Sequence, residues 1–266
     1  MATILFLHAH PDDECLISGG TIAKYSAEGH RVVLVTATDG RHGERPADVA
    51  TPEALLDRRR DELARSCEAL GVTRHEWLGY VDSGMNGWPQ NDLEGAFIRS
   101  DVDEAATRLV RIIAEEQAAA DRLALVTYDW HGNYGHPDHL HVHKVGHRAA
   151  QLAGVRDLFE VTLNRDFFVE QFEWSKANGG DNDFDPRQPA DDGNPMGEPE
   201  SKITHHIDVG DHCNAKREAI AAHASQANDT GFATEMSEES FRRTFGTEWF
   251  IKVGEPAPTK RSSLLD

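Results

Sequence analysis

Two short segments of the sequence place histidine, proline and aspartate in the same order. The first reads LHAHPDDE and ends at Glu14, and the second reads GHPDH and ends at His139. Proline fits the first position of a helix, because its missing N–H would have no partner there. Residues three apart in such a turn project to the same side. We therefore expect His10 with Asp13, and His136 with His139, each to converge on one point.

Two such turns brought together supply the nitrogen and oxygen ligands that suit Zn²⁺ with one position left open for water. We predict His10, Asp13 and His139 as the ligands, and Fe²⁺ suits the same set. The chain has 15 histidines in 266 residues, so some must lie on solvated surfaces. The repetition of the motif, each time directly after an apolar segment, argues against a chance arrangement.

Two further residues of the motifs lie close to the predicted metal without being needed as ligands. A carboxylate at Asp12 can take a proton from attacking water as general base. An imidazole at His136 can stabilise a developing oxyanion or protonate a leaving amine. We expect Asp138 to keep His136 charged and oriented, as carboxylates orient catalytic histidines. The set predicts a metal-dependent hydrolase of an amide or ester.

Strand and helix patterns alternate along the chain and place both motifs. The apolar runs TILFL, ending at Leu7, and LALVTY, ending at Tyr128, predict buried strands that lead into the two motifs. Such alternation implies right-handed βαβ units, and hence an α/β, Rossmann-like three-layer fold with a mainly parallel sheet. Sites in these folds lie at the carboxyl ends of the strands. We expect one domain over residues 1–266, with a loop insertion at 178–200 that forms a lid or rim.

Composition excludes several classes of partner. The net charge of −19 opposes binding to nucleic acid or to an anionic membrane. The sequence contains no run of about 18 apolar residues, so it predicts no membrane span. The start MATILFLHAH lacks the basic region of a signal peptide. Cys15, Cys67 and Cys213 form no CxxC motif and are expected to be reduced thiols of a cytoplasmic protein. The sequence leaves open whether the chain forms a homo-oligomer.

The paired motifs AHPDDE and YGHPDH resemble those of the zinc-dependent N-acetylglucosaminyl deacetylases, the PIG-L or LmbE-like superfamily. The segments VDSGMNG, ending at Gly87, and AHASQ, ending at Gln226, are further similar to actinobacterial members that act in mycothiol metabolism. The resemblance extends from Ile4 to about Gln226, and the insertion at 178–200 fits it less well. It implies a zinc-dependent N-deacetylase that acts on a small N-acetylated sugar.

In enzymes of this kind, the first and fourth residues of the HPDD motif bind zinc, and the third is the general base. These residues are His10, Asp13 and Asp12 here. The last histidine of the second motif binds zinc, and its first histidine supports the oxyanion or acts as the acid. These are His139 and His136.

The resemblance alone implies three more roles. Tyr134 is expected to reach the substrate carbonyl, while Arg59 and Asp82 are expected to contact sugar hydroxyls. The run Arg58-Arg59-Arg60 leaves the arginine ambiguous by one residue.

Some alternatives stay open at the level of sequence. His139, His143 and His147 share a helical face that could bind a metal by itself, but such spacing is common, so we expect His143 and His147 to face neighbouring helices or solvent. His223 and Gln226 could line the site or cap a helix. Besides a deacetylase, the motifs allow an amidase that cleaves a larger thiol-sugar conjugate, and a non-catalytic carbohydrate-binding protein.

Overall fold

The computed structural model describes residues 1–178, 185–190 and 192–266, apart from the side chain of Asp229. Within these ranges seven strands form one sheet, in the order β3-β2-β1-β4-β5-β7-β6. In chain order the strands are β1 (Thr3–His8), β2 (Arg31–Thr38), β3 (Arg74–Tyr80), β4 (Leu123–Tyr128), β5 (Asp157–Thr162), β6 (His205–Asp208) and β7 (Thr247–Lys252).

The five strands from β3 to β5 pair in parallel, whereas β7 runs antiparallel to both of its neighbours. The two central strands, β1 and β4, are buried along their whole length, as expected for parallel strands covered on both faces. In their register Thr3 lies opposite Leu123 and Phe6 lies opposite Val126. Strands β1 and β4 therefore end side by side.

Helices cover the sheet in two groups. One group contains α4 and α6, and the other contains α2, α3 and α8. The predicted α/β fold with a Rossmann-like arrangement and a mainly parallel sheet is confirmed. In chain order the helices are α1 (Asp13–Ile17), α2 (Gly19–Ala27), α3 (Pro52–Leu70), α4 (Val102–Ala119), α5 (Gly132–Gly135), α6 (Pro137–Ala153), α7 (Arg165–Ala177), α8 (Cys213–Ala222), α9 (Ala227–Glu235) and α10 (Glu238–Phe245).

The two motifs leave the sheet at the point where the strand order reverses. The chain proceeds from β1 outward to β2 and β3, and then returns to β4 on the other side of β1. Ligands bind α/β sheets in the crevice that such a reversal opens at the carboxyl ends of the strands. The topology thus brings together two segments that are far apart in the sequence.

Helix boundaries follow local signals. Helix α3 begins at Pro52, where the Thr51 side chain accepts a hydrogen bond from the Ala54 N–H, and it ends at Gly71 in a left-handed conformation. Helix α6 begins at Pro137, in agreement with the predicted position of proline in the second motif. Helix α9 was not predicted, because its sequence ANDTGFATE lacks a clear apolar period.

The predicted loop insertion at 178–200 lies partly outside the described residues, at 179–184 and 191. Its described part packs against the segment between β4 and α6. The Gly197 N–H donates to the Asn133 carbonyl at 2.7 Å, and Asp192 Oδ2 lies 2.8 Å from His131 Nε2. Among the helices that the structure describes, none has the length and apolar character needed to cross a membrane.

Candidate active site

The first motif forms a strained turn directly after β1. Asp12 has φ of 137° and ψ of −27°, a backbone conformation that residues other than glycine rarely adopt. The Asp12 N–H donates to Glu14 Oε2 at 2.9 Å, and Arg59 donates to the Pro11 carbonyl at 2.6 Å. Hydrogen bonds on both sides of Asp12 therefore hold this turn in place. Helix α1 then begins at Asp13.

The second motif starts helix α6 with a histidine cap. His136 Nδ1 accepts a hydrogen bond from the Asp138 backbone N–H at 3.1 Å, and Pro137 occupies the first helical position. His139 lies in the first turn of the helix. Gly132, with φ of 59°, passes so close that a Cβ there would lie 2.4 Å from the His139 Cβ. Only glycine allows this approach.

The structure brings the three predicted metal ligands together in a buried cluster. His10 Nδ1 lies 3.3 Å from Asp13 Oδ2 and 3.3 Å from His139 Nε2. His139 Nε2 lies 3.3 Å from Asp13 Oδ1. Ligands about 2.0–2.1 Å from a tetrahedral Zn²⁺ are about 3.3–3.4 Å apart, so the spacing of these donors fits such an ion. His136 belongs to an overlapping group with His10 and His139, whose ligand atoms lie within 4.8 Å of one another.

Hydrogen bonds to the far side of each imidazole fix which nitrogen carries the proton. His10 Nε2 lies 3.2 Å from Asp138 Oδ2, and His139 Nδ1 lies 3.1 Å from the Gly132 carbonyl. Both partners are acceptors, so these nitrogens donate. The nitrogens that face Asp13 are therefore the ones available to a metal, which would displace any proton that they carry. Metal-binding histidines in proteins are oriented by carboxylates and carbonyls in the same way.

The expected role of Asp138 in orienting His136 is wrong for this structure. The Asp138 carboxylate contacts His10 at 3.2 Å and accepts the Ser83 N–H at 2.9 Å. Its backbone N–H, rather than its carboxylate, contacts His136. The reason is helical geometry, because a residue in the first turn presents its N–H to the capping side chain while its own side chain points elsewhere.

Carboxylates surround His10 and favour positive charge at this point. Burial alone would lower the pKa of His10, but hydrogen bonds with Asp13, Asp138 and Asp82 raise it well above its ordinary value. Burial would likewise raise the pKa of Asp13, yet His139 and His10 hold it well below its usual range. The same carboxylates would stabilise a divalent cation at this position.

His136 is neutral, contrary to the expectation of a charged imidazole. Burial, together with the neighbouring His10 and His139, lowers the pKa of His136 to about 2. Its Nδ1 accepts the cap hydrogen bond, so the proton resides on Nε2. Such a ring can donate a hydrogen bond from Nε2 but carries no second proton to transfer.

Asp12 has the protonation properties of a general base. Burial raises the pKa of Asp12 to about 6, although the guanidinium of Arg59 opposes this rise. Arg59 donates to Asp12 Oδ2 at 2.8 Å and to the Gly40 carbonyl at 2.5 Å. A carboxylate whose pKa lies near neutrality can both accept and return a proton.

The two predicted sugar-binding residues both contact protein atoms beside the cluster. Asp82 is buried and accepts the His42 N–H at 3.0 Å and the Gly84 N–H at 2.8 Å. Of the three consecutive arginines, Arg59 is the one that reaches the site, since Arg58 pairs with Asp48 and Glu62 and the side chain of Arg60 is exposed. Contact of Asp82 and Arg59 with a sugar remains a prediction.

Tyr134 lies on the short helix α5 and is half-buried. The centroid of its ring is 4.9 Å from that of His139 and 6.2 Å from that of His136. Its predicted contact with a substrate carbonyl stays a prediction.

A buried polar group behind Asp12 was not predicted from the sequence. Glu14 Oε1 lies 2.8 Å from His223 Nε2 and accepts a hydrogen bond from Ser66, while its other oxygen holds the Asp12 N–H. His223 therefore supports the first motif from the end of α8. Gln226 instead bonds to the backbone of Glu44. The sequence signal that could have indicated this group is the presence of polar residues on helix faces that are otherwise apolar.

The ring of Tyr128 also contacts the cluster. It stacks on His139 with a centroid distance of 4.3 Å and an interplanar angle of 5°, and its hydroxyl accepts the Ala9 N–H at 3.2 Å. The last residue of β4 therefore supports both motifs. Its place at the end of an apolar strand pattern gave no sign of this role.

Comparison with known proteins identifies a family and several relatives of this chain. Residues 5–150 match the family described as PIG-L: GlcNAc-PI de-N-acetylase. The chain is 38% identical over 274 residues to the 1D-myo-inositol 2-acetamido-2-deoxy-alpha-D-glucopyranoside deacetylase of Nocardiopsis dassonvillei, with 96% of this chain and 95% of that protein covered. A protein with the same name from Thermobispora bispora is 39% identical over 279 residues, covering 96% of this chain and 89% of its own length.

A solved structure provides a similar fold. The N,N'-diacetylchitobiose deacetylase of Pyrococcus horikoshii matches with a TM-score of 0.57 and 23% sequence identity, covering 94% of this chain and 82% of that one. At this identity the likeness concerns the fold alone.

Proposed function

Since this chain belongs to the PIG-L family of GlcNAc-PI de-N-acetylases, we propose that it is a metal-dependent hydrolase that removes the N-acetyl group from an N-acetylglucosaminyl conjugate. The relatives named above act on a 2-acetamido-2-deoxy-glucopyranoside of inositol, so an inositol conjugate is the substrate class that we favour. The strongest support is the convergence of His10 Nδ1 and His139 Nε2, which lie 3.3 Å from each other and each 3.3 Å from one oxygen of Asp13, beside the buried carboxylate of Asp12.

In this proposal His10, Asp13 and His139 hold the metal. Two imidazole nitrogens and one carboxylate form a ligand set that suits Zn²⁺, and the same set also binds Fe²⁺. When bound, a divalent metal polarises the amide carbonyl and makes water a stronger nucleophile at neutral pH. Asp138 keeps His10 in the tautomer that leaves Nδ1 free to bind.

Asp12 takes a proton from the attacking water as the oxygen bonds to the acetyl carbon. His136 donates Nε2–H to the carbonyl oxygen, which gains negative charge. The carbon–nitrogen bond then breaks, and Asp12 returns its proton to the sugar nitrogen. The products are a free amine and acetic acid, which loses its remaining proton to solvent and becomes acetate, and Asp12 is a carboxylate again. A pKa of about 6 for Asp12 suits both proton transfers.

Substrate contacts are assigned to residues at the edge of the cluster. Each oxygen of Asp82 can accept more than one hydrogen bond, so Asp82 can keep its backbone partners and still contact a sugar hydroxyl. Tyr134 contributes its hydroxyl to the acetyl carbonyl. Arg59 is buried and already donates to three oxygens, so we assign it to the positioning of Asp12.

One experiment tests this function. Metal-free protein is reloaded with Zn²⁺ and given three substrates: N-acetylglucosaminyl inositol, free N-acetylglucosamine, and a thiol-sugar conjugate with a larger acyl group. We expect acetate and primary amine in equal amounts, fastest from the inositol conjugate. His10→Ala serves as the inactive control. Preferred cleavage of the larger amide would identify an amidase, and the absence of turnover in zinc-loaded protein that binds the sugar would identify a carbohydrate-binding protein.

A further inference from the structure

A second cluster of metal-binding side chains lies further along helix α6. His143 and His147 are one turn apart on the same face, and their ring centroids are 4.3 Å apart. Glu160 on strand β5 faces both rings: its Oε1 lies 2.7 Å from His147 Nε2 and 3.4 Å from His143 Nδ1. The sequence predicted that these histidines face neighbouring helices or solvent, whereas the structure turns them towards a carboxylate of the sheet.

The spacing of these three side chains suits a metal ion. Each offers one ligand atom, and these atoms all lie within 4.8 Å of one another. Ligands about 2.0–2.2 Å from one ion are separated by about 3–4.4 Å, so small rotations of partly exposed side chains would complete the site. Two imidazoles and one carboxylate form a ligand set that divalent zinc, nickel and copper all accept.

The protonation state of His143 also suits a ligand. Its Nδ1 lies 3.0 Å from the Tyr128 carbonyl, which can only accept, so Nδ1 carries a proton. The 3.4 Å contact with Glu160 is made by this same nitrogen, so the ring must reorient to present the lone pair of Nε2 to an ion. Burial, more than the neighbouring His147, lowers the pKa of His143 and keeps the ring neutral. An imidazole held through one nitrogen by a backbone carbonyl is a common arrangement at metal sites.

The cluster shares no ligand with the candidate active site. His143 lies one helical turn beyond His139, about 6 Å along the axis. Tyr128 lies between them, with its ring stacked on His139 and its carbonyl against His143. The side chains of His143, His147 and Glu160 are 21%, 32% and 14% exposed, so an ion can enter from solvent.

We propose that His143, His147 and Glu160 form a second site for a divalent transition metal of the zinc class, which fastens helix α6 to strand β5. A bound ion would replace the hydrogen bond between His147 and Glu160 by coordination of both. Its role is structural, because the open side of the cluster faces solvent and none of the residues proposed for catalysis belongs to it.

Zinc binding to the metal-free full-length protein tests this proposal, with bound Zn²⁺ counted by elemental analysis after equilibrium dialysis. We expect the double variant His143→Gln/His147→Gln to bind one ion fewer per chain than the wild type. In the background His10→Ala/His139→Ala, the same two changes should remove the ion that remains. His212→Gln, which alters a histidine outside both clusters, should bind as much zinc as the wild type. An unchanged zinc content in the double variant would overturn the proposal.

Glu160→Gln provides a test that preserves the side-chain shape and its capacity for hydrogen bonding. It should weaken the second binding event at least ten-fold, because even residues that only support metal ligands contribute 10–100-fold to affinity. Zinc should also raise the Tm of the His10→Ala/His139→Ala protein more than that of the same protein carrying Glu160→Gln. Equal zinc-induced shifts in the two proteins would contradict the assignment. Variants of His10 and His139 test the proposed function separately. If those variants did not lose zinc, the difference in zinc content caused by the His143 and His147 changes could still be measured.

Discussion

Arg59 donates a hydrogen bond to the carboxylate of Asp12 at 2.8 Å, with both side chains buried. Its guanidinium also reaches the Pro11 carbonyl at 2.6 Å, so the same side chain binds the turn and the carboxylate that the turn presents. The backbone of Asp12 has a positive φ, which is costly for a residue with a side chain. We infer that Arg59 helps to maintain this conformation.

Replacing Asp12 should separate catalysis from metal binding. We expect Asp12→Asn to lower kcat by about 10²–10⁴, the usual value of a general base, with the metal retained. His10→Ala should lose metal and activity together. Steady-state kinetics and metal analysis measure both effects, and Asp57→Asn, on the exposed surface of α3, is the control. Loss of metal in Asp12→Asn would instead make Asp12 a ligand.

Asp138→Asn should weaken metal binding, because Asp138 contacts His10 and not the ring of His136. An amide can present its NH₂ group to His10 and favour the wrong tautomer. We expect metal affinity to fall about 10–100-fold, as for other residues that orient metal ligands. Competition with a chelator of known affinity measures the change. Unchanged affinity with altered kcat would restore the predicted link between Asp138 and His136.

Two glycines with left-handed backbones allow a matched comparison. Gly132 and Gly154 have φ of 59° and 66°, but an added Cβ meets His139 only at Gly132 and meets nothing within 4 Å at Gly154. Alanine at either position should cost about 1–2 kcal/mol of stability from backbone strain. Only Gly132→Ala should also weaken metal binding, because it displaces His139. Denaturant unfolding and metal titration distinguish the two effects, and equal metal affinities would argue against the close approach.

Glu14→Ala should destabilise the protein and slow the reaction. The substitution leaves the Asp12 N–H, Ser66 and His223 without their shared acceptor, each at a cost of about 1–3 kcal/mol if no water replaces it. Urea unfolding measures the loss, with the exposed Glu28→Ala as control. Glu14→Gln keeps one acceptor oxygen and should recover part of both stability and kcat. No recovery in Glu14→Gln would show that the charge, rather than the acceptor, is required.

An ion pair far from the site predicts a dependence of stability on pH. Arg31 holds the pKa of Glu116 below its ordinary value; burial opposes this shift and Arg74 adds to it. A lowered folded pKa means that this contribution is present above about pH 4.5, the unfolded value, and is lost as the pH falls through the folded value. Glu116→Gln should therefore be less stable than wild type by about 1–3 kcal/mol at pH 7, and the difference should shrink towards pH 3.

Urea unfolding between pH 3 and 7 measures this difference. Glu115→Gln is the matched control, since Glu115 is the preceding residue and its side chain is 62% exposed. We expect an effect of well under 1 kcal/mol there. A difference at Glu116 that stays constant with pH would mean that packing, and not charge, is lost.

The sequence predicted the parallel sheet and the convergence of the two motifs because these follow from local patterns. Apolar runs mark β1 and β4, and the motif that follows each run identifies the edge where the strands end. The partner of Asp138 was not predictable in this way. Proximity in the sequence favoured His136, whereas the fold brings His10, 128 positions away, to the carboxylate.

The neutrality of His136 depends on a similar long-range effect. Its pKa is set by burial and by two other histidines, one of which is on the first motif. The contact between Glu14 and His223 likewise joins residues that are 209 positions apart in the sequence. Periodicity carries no information about such contacts, because they arise only when the elements pack.

The pairing of β1 with β4 also determines when the metal cluster can form as the protein is synthesised. His10 and His139 are 129 positions apart, so the first half of the cluster leaves the ribosome long before the second. Until β4 has emerged and docked beside β1, His10 and Asp13 form only a partial, weakly binding ligand pair. At the proposed site a metal can therefore be bound only after β1 and β4 have paired, and a nascent chain stalled before His139 should bind zinc no better than an unfolded peptide.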